Sequence, residues 1–293
     1  MVGRSRVGKK NRAKVQLAAL SLVIVLLLAL VVGTDVRLNQ VGADVKVVRV
    51  GVIGSSDDQI WKAVQAELDR RGENIRIELK PFQDAIYVNQ ATANREVDFN
   101  AAQHYAYLQD DVKTNHYQLA VLGNTYISPM NLYSQRYAKP SQFQDGDRVA
   151  IPNNATNMGR ALKVLADAEL IGLRDPKATN PLPEDVVDNP KHLHIEQVDP
   201  AGILNLLPDY AGGVTNANFV VDAGRSVHDA IHEVPYDLQN PANKPYINII
   251  VTTRDQRDNP TYAAVVRAYH SKPVADTIVR VYKGACLPAF KVS

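Results

Sequence analysis

The chain of 293 residues holds one cysteine, Cys286, close to its C-terminus. One thiol cannot close a disulfide within the chain, so an exported protein of this size must rely on its core. The same scarcity excludes a lipid-bearing cysteine at the N-terminus, because no Cys follows the apolar run there. Reactive motifs are missing as well. There is no H-E-x-x-H, no G-x-S-x-G and no G-x-x-x-x-G-K-[ST]. Their absence counts against a zincin, a serine hydrolase of the elbow type and an ATPase. No basic–aromatic stripe marks a nucleic-acid surface, and no repeat or low-complexity tract is present.

What is there begins with charge. The formal charge is +2, but Arg4, Arg6, Lys9, Lys10, Arg12 and Lys14 put +6 into the first 14 residues, which hold no acid. The rest of the chain sums to −4, so its basic balance belongs to the tail and does not indicate nucleic-acid binding. From Val15 to Val32 the chain is apolar except for Gln16 and Ser21. This length is close to the roughly 20 residues that span a bilayer as a helix. A basic flank stays in the cytoplasm and sends the downstream chain across the membrane. The expected order is a cytoplasmic tail over 1–14, a signal anchor or transmembrane helix over 15–33, and a polar tether over 34–45. The remaining soluble part is then extracytoplasmic, on a single-pass protein of the cell membrane. Residues 29–35, ALVVGTD, offer Ala29 and Gly33 but no A-x-A match, which favours an uncleaved anchor.

Beyond the tether the pattern is α/β. Residues 45–53 are Val-rich and predict a strand. Ser56 and Gln59 read as a capping box for a helix through about Arg71. Residues 74–80 alternate as a strand, 84–95 form a helix, and Val97–Phe99 is a short strand. This β-α-β-α-β order predicts a parallel sheet covered by helices. Further strands are expected at 118–123, 131–134, 148–151, 193–198, 217–221 and 246–253, with a helix over 157–170. Asn259-Pro260 starts a helix with Pro at its first position. Ser271 and Pro273 open the last helix, which Gly284 ends. Residues 174–192 read as a long exposed connection.

The segment RVAIPNNATNMGRAL, residues 148–162, runs from strand through polar loop to helix. Amides at a helix N-terminus lack partners within the helix and favour anions. Thr156 reads as the N-cap, and Arg160 can make a two-pronged contact to a carboxylate. A surface helix with an ordinary cap and a solvated Arg fits the same residues. Gly54-Ser55, Gln103-His104, Asn153–Asn157 and Asn216–Asn218 each follow a predicted strand, so they are candidates for one cleft. His228 with His232, and His192 with His194, have spacings that could begin a metal site. Exposed loop histidines explain them as well, and no metal or cofactor is expected. Cys286 reads as a small core residue.

Six segments give the chain a more specific likeness: GNTYISPMNLYS (123–134), VAIPNNATNMGRAL (149–162), Asn189-Pro190-Lys191, TNANFVVDAG (215–224), PYINIIVTTRDQRDNP (245–260) and GACLPAF (284–290). In this order and spacing the chain resembles the NlpA/MetQ family, substrate-binding lipoproteins of ABC importers for methionine. The likeness covers about residues 46–290. It implies a two-lobed periplasmic-binding-protein fold of type II with the ligand cleft between lobes. Lobe 1 would take 46–127 and 249–293, and lobe 2 would take 128–248. It also implies that Arg160 holds the ligand carboxylate, with Asn157, Asn216 and Asn248 around the α-amino and carboxylate groups. His104 and Tyr107 would line the side-chain pocket, and Tyr126 joins the ligand-binding set. ABC permease and ATPase subunits are the implied partners, no enzymatic activity is expected, and no nucleic acid is bound.

Three departures qualify the likeness. The family usually has an aromatic in F-x-D-Y, and FQDA places Ala85 there. It usually has N-x-F-Q-H, and NAAQH places Ala102 at the Phe position. Two missing rings remove apolar contact and open space, which predicts altered specificity, such as a methionine-containing dipeptide or a bulkier amino acid. Tyr87 is the nearest ring available to compensate in part. The third departure is the missing N-terminal lipidation cysteine, for which the apolar span could substitute. A membrane-anchored adhesin or sensor without transport is the alternative reading on the same fold.

Overall fold

The computed structural model describes residues 45–293 except Asp84 and Pro235, and it describes Ala85 by its backbone alone. The basic tail, the anchor over 15–33 and the tether up to residue 44 lie outside the described residues. Among the described residues no helix is long and apolar enough to cross a membrane.

β1 (Lys46–Ile53) carries Val48, Val50 and Val52 on one face, each at most 2% exposed. That alternation is what a strand with one face on the core requires. α1 (Asp58–Arg70) buries Ile60, Trp61, Val64 and Leu68, a stripe at helical spacing. Each such side chain contributes about 1.5–3 kcal/mol. The Trp61 indole packs on Phe99 at 6.1 Å and Tyr269 at 5.3 Å between ring centres. β2 (Ile75–Phe82), α2 (Ala85–Ala93) and β3 (Phe99–His104) complete two β-α-β units, with β1 parallel to both β2 and β3.

α3 (Tyr105–Asn115), β4 (Leu119–Ile127) and β5 (Met130–Tyr133) come next. Then come β6 (Arg148–Pro152), α4 (Ala155–Asp167), β7 (Gly172–Leu173), β8 (Val186–Asp188) and β9 (His194–Val198). The chain continues through α5 (Ile203–Leu206), β10 (Gly212–Asn216), α6 (Ala217–Asp222) and β11 (Ile247–Thr253). α7 (Pro260–Tyr269), α8 (Lys272–Val281) and β12 (Leu287–Pro288) close the fold. Two main sheets result. One has the order β12-β4-β11-β3-β1-β2 and the other β5-β10-β6-β9. The first therefore draws on residues before 128 and after 246, and the second on the residues between. β11, arriving from the far end of the chain, inserts between β3 and β4 and pairs antiparallel with both.

Several expectations need correction. The first sheet is mixed, because β11 pairs antiparallel with β3 and β4, and β12 pairs antiparallel with β4. Residues 217–221 are helical within α6. Ala217 and Val220 are both fully buried, and their separation by three places them on one helix face. The strand is Gly212–Asn216 instead. The N-cap of α4 is Asn154, whose side chain accepts from the Asn157 amide at 3.1 Å, and Thr156 is buried inside the helix. The N-cap of α1 is Asp57, and its side chain makes no cap bond. A turn from the Ser55 carbonyl to the Asp58 amide shifts that start past Ser56. Residues 174–192 are partly built into structure. β7 pairs with β8, and Asn180 and Pro181 lie close enough to α4 that a side chain at Gly159 would meet them at 3.1 Å.

Candidate functional site

A cavity of about 80 Å³ lies where the ends of strands from both sheets meet. One water needs roughly 10–15 Å³ by the same measure, so the space suits a small molecule. Asp57 follows β1, Ala102 and His104 come from β3, and Tyr126 comes from β4. Asn157 lies in the first turn of α4, Asn216 ends β10, and Asn248 lies on β11 directly opposite His104. A larger cavity of about 740 Å³ adjoins it and shares Ile53, Gln83, Asp199 and Phe219.

Strand alternation decides which residues reach the cavity. His104 lines it. Gln103, one position earlier, points the other way into a buried network with Asn89 and Asn100. The Nδ1 of His104 accepts from the Tyr107 amide at 3.1 Å. That acceptor role puts the ring proton on Nε2, which donates to Asn157 Oδ1 at 3.3 Å. Burial, and next the neighbouring Arg160 charge, push the His104 pKa down to about 3. The ring is therefore neutral at physiological pH.

Arg160 stands one layer behind this wall. It is 3% exposed and lines a different cavity, with Lys163, Tyr236 and Tyr246. Its Nη1 donates to Asn157 Oδ1 at 3.1 Å, and its Nη2 donates to the Ser128 carbonyl at 3.0 Å and to Tyr236 Oη at 2.7 Å. The guanidinium also lies 4.7 Å from the Tyr246 ring centre, a cation–π distance. Its Nε is buried without a hydrogen-bond partner. Because Asn157 Oδ1 already serves both Arg160 and His104, what Asn157 can offer a ligand is its amide N–H donors.

On the same cavity, Asp57 Oδ1 accepts from Tyr282 Oη at 2.8 Å, and Asp57 Oδ2 accepts from Tyr126 Oη at 2.9 Å. Desolvation raises the Asp57 carboxyl to about 6, although both tyrosine hydrogen bonds pull it down. Asn216 is 8% exposed, and its Oδ1 has no hydrogen-bond partner. It is the N-cap residue of α6, yet its side chain makes no cap bond.

The remaining candidates are placed elsewhere. Tyr107 lies on α3, edge-on to His104 at 6.4 Å, and is not among the residues lining the cavity. Tyr87 is 60% exposed, so it supplies no ring to the cavity. Ala102 lines it, while the side chain of Ala85 is outside the described residues. His192 pairs with Asp145, His228 with Glu233, and His232 with Asp167. No group of three or more metal-ligating side chains occurs among the described residues. Cys286 is fully buried, and burial pushes its thiol well above the usual range. Sequence reasoning missed Asp57, Tyr236, Tyr246 and Tyr282. A carboxylate three residues past the Gly54 turn was the one local signal available.

The sequence profile of the NlpA lipoprotein family matches residues 48–290. The D-methionine-binding lipoprotein MetQ of Escherichia coli (strain K12) is 32% identical over 244 residues, covering 82% of this chain and 87% of that one. The crystal structure of the methionine-binding protein MetQ superposes with a TM-score of 0.78 at 32% identity, covering 84% of this chain and 99% of that one. A nutrient-binding protein from Burkholderia cenocepacia, solved bound to methionine, gives a TM-score of 0.76 at 30% identity, covering 83% of this chain and all of that one. The α/β fold is thus that of solved methionine-binding proteins, and the chain belongs to the NlpA lipoprotein family.

Proposed function

We propose that the chain is the extracytoplasmic substrate-binding protein of an ABC importer. It captures methionine, a related amino acid or a methionine-containing dipeptide and delivers it to a membrane permease. One observation carries this reading: His104, Tyr126, Asn157, Asn216 and Asn248, drawn from five separate segments, line a single cavity in a chain whose relatives are named for methionine binding. No enzymatic step is assigned to it.

A zwitterion needs donors at one end and acceptors at the other. The corner at Asn157 supplies the donors, because His104 and Arg160 hold its Oδ1 and leave its amide N–H groups for the ligand. The carboxylate goes there, and Arg160 strengthens that corner through Asn157 or through its own unpartnered Nε. Asn216 Oδ1 is the open acceptor for N–H groups, beside Asn248. Residues 46–127 with 249–293 act as one lobe and 128–248 as the other, and closure excludes water from these contacts. The space at Ala102 and the adjoining cavity favour a ligand larger than methionine. The apolar run over 15–32 anchors the protein and keeps it near its permease, which raises the effective concentration for docking.

Native mass spectrometry of the purified full chain, with release of the bound small molecule, tests the proposal. Methionine, another amino acid or a dipeptide is the expected mass. An empty protein that also ignores a panel of amino acids and dipeptides refutes it and favours an anchored adhesin or sensor.

A further inference from the structure

The cavity has an electrical sign. Among the described residues, neither it nor the adjoining larger cavity is lined by Lys or Arg. Three carboxylates face them instead: Asp57 and Asp199 on the first, and Asp199 and Asp222 on the second. The only titratable base on the first wall, His104, is neutral. Arg160 is committed to Asn157, Ser128 and Tyr236 behind the wall.

The three acids are not equivalent. Asp222 Oδ1 accepts from the Ser55 amide at 3.1 Å and from the Ser55 hydroxyl at 3.2 Å, so it braces the β1 turn. Asp199 is exposed. Asp57 is half-buried, faces the small cavity, and meets only two tyrosine hydroxyls there. Tyrosine hydroxyls orient a carboxylate without neutralising it. No cation of the protein is paired with it among the described contacts. A second acceptor, Asn216 Oδ1, lines the same cavity, buried and unpartnered. Two acceptors line this one cavity, Asn216 Oδ1 unpartnered and Asp57 anionic with no cation, and together they match an N–H group that carries positive charge.

We propose that Asp57 is the counter-ion for a protonated amine of the ligand, with Asn216 Oδ1 as its second acceptor, so that the cavity selects amine-bearing ligands. This deepens the amino-acid receptor reading and rests on it for the identity of the cavity. Removing either charge from the pair leaves the other half-buried and unbalanced. The selectivity is therefore for the ammonium rather than for the thioether tail.

Calorimetric titration of the full chain near neutral pH tests this with four probes. They are L-methionine, glycyl-L-methionine, 3-(methylthio)propylamine, which lacks the carboxylate, and 4-(methylthio)butanoate, which lacks the amine. Wild type, Asp57→Asn and Asp199→Asn are compared, with thermal melting to show that each variant is folded. Asp57→Asn is expected to weaken the three amine probes by about tenfold or more and to leave the butanoate unchanged or tighter. Asp199→Asn is expected to keep the wild-type order. An Asp57→Asn protein that binds the amine probes as wild type does overturns the assignment and leaves the receptor reading standing. A wild type that takes the simple amine but neither methionine nor the dipeptide keeps the assignment and removes the reading. Binding of none of the four overturns both.

Discussion

Asp57 imposes a cost that can be measured without any ligand. Its carboxyl sits at about 6 rather than the ordinary 3.8, first because it is desolvated, with Asp222 and Asp58 adding like charge. The folded value lies above the unfolded one, so the native state holds an extra proton between them. Asp57 therefore contributes full stability below about pH 4, and that contribution is lost as pH rises through about 6. The distance from 3.8 to about 6 corresponds to about 3 kcal/mol at the usual 1.36 kcal/mol per pKa unit. The side chain is half-buried rather than sealed, so solvent screening leaves about 1–3 kcal/mol.

Asp57→Asn keeps the shape and an acceptor for the tyrosine hydroxyls, and it removes the charge. Urea denaturation of both proteins across pH gives the difference directly, because all other titrating groups are common to both. At about pH 8 the variant is expected to be more stable by about 1–3 kcal/mol, and near pH 4 the two should coincide. A gap that does not grow with pH, or a variant less stable at pH 8, refutes the reasoning. So does loss of the urea slope, which would mean that the fold itself had changed.

Three further outcomes are expected from the same geometry. Gly54 has φ +63°, and a Cβ there would lie 2.1 Å from Asp222 Oδ2. Gly54→Ala should cost about 1–3 kcal/mol, and a denaturation cycle with Asp222→Ala should recover the clash part and leave the backbone part. Glu67 is buried under Arg70 and Arg71, whose hydrogen bonds lower its carboxyl to about 2. Glu67→Gln should lose about 1 kcal/mol near pH 7, and melting curves should show this loss shrinking as pH falls from about 4.5 through 2. Ala102→Phe places a ring on the cavity wall, so calorimetry should show methionine binding tightened by about tenfold or more and glycyl-methionine binding weakened. Equal effects on both ligands would show that Ala102 does not set ligand size.

How much was legible in the sequence depends on how far each contact reaches. The alternation of Val48, Val50 and Val52 and the Asn259-Pro260 start are local signals, and both elements form as read. Asn259 Oδ1 accepts from the Thr261 amide at 2.9 Å. Residues 217–221 misled because Phe219-Val220-Val221 is apolar and rich in β-branched residues but too short for its period to decide. The partners of Arg160 could not be read at all. Ser128 lies 32 residues before it, and Tyr236 lies 76 residues after it. A solvated or ligand-facing guanidinium and one braced from behind have the same local sequence. Asp57 was hidden by its neighbour, since Ser56 with Gln59 satisfies the capping-box pattern while the turn at Ser55 moves the cap one residue on.

That shift points to how the site is made. Four helix N-cap residues line the cavity: Asp57, His104, Asn154 and Asn216. His104 and Asn154 use their side chains in the ordinary way and cap α3 and α4. Asp57 and Asn216 do not; Asp57 has φ −89° and ψ 0°, outside the extended region of a cap, whereas Asn216 forgoes roughly 1 kcal/mol of helix stabilisation by leaving that role unfilled. Nothing in the local backbone forbids a cap at Asn216, whose φ and ψ of −78° and 152° are those of a capping residue. Asn216 Oδ1, held at a cap position and unpartnered, is worth its cost only if something in the cavity donates to it, whereas Asp57 already accepts from two tyrosine hydroxyls and lacks only a cation among the described contacts. The Asp222 brace on Ser55 fixes the β1 turn that carries Asp57, and the register of β10 against β5 fixes Asn216 opposite Met130. The two acceptors therefore come from different sheets, so a ligand amine that reaches both ties the two sheets together.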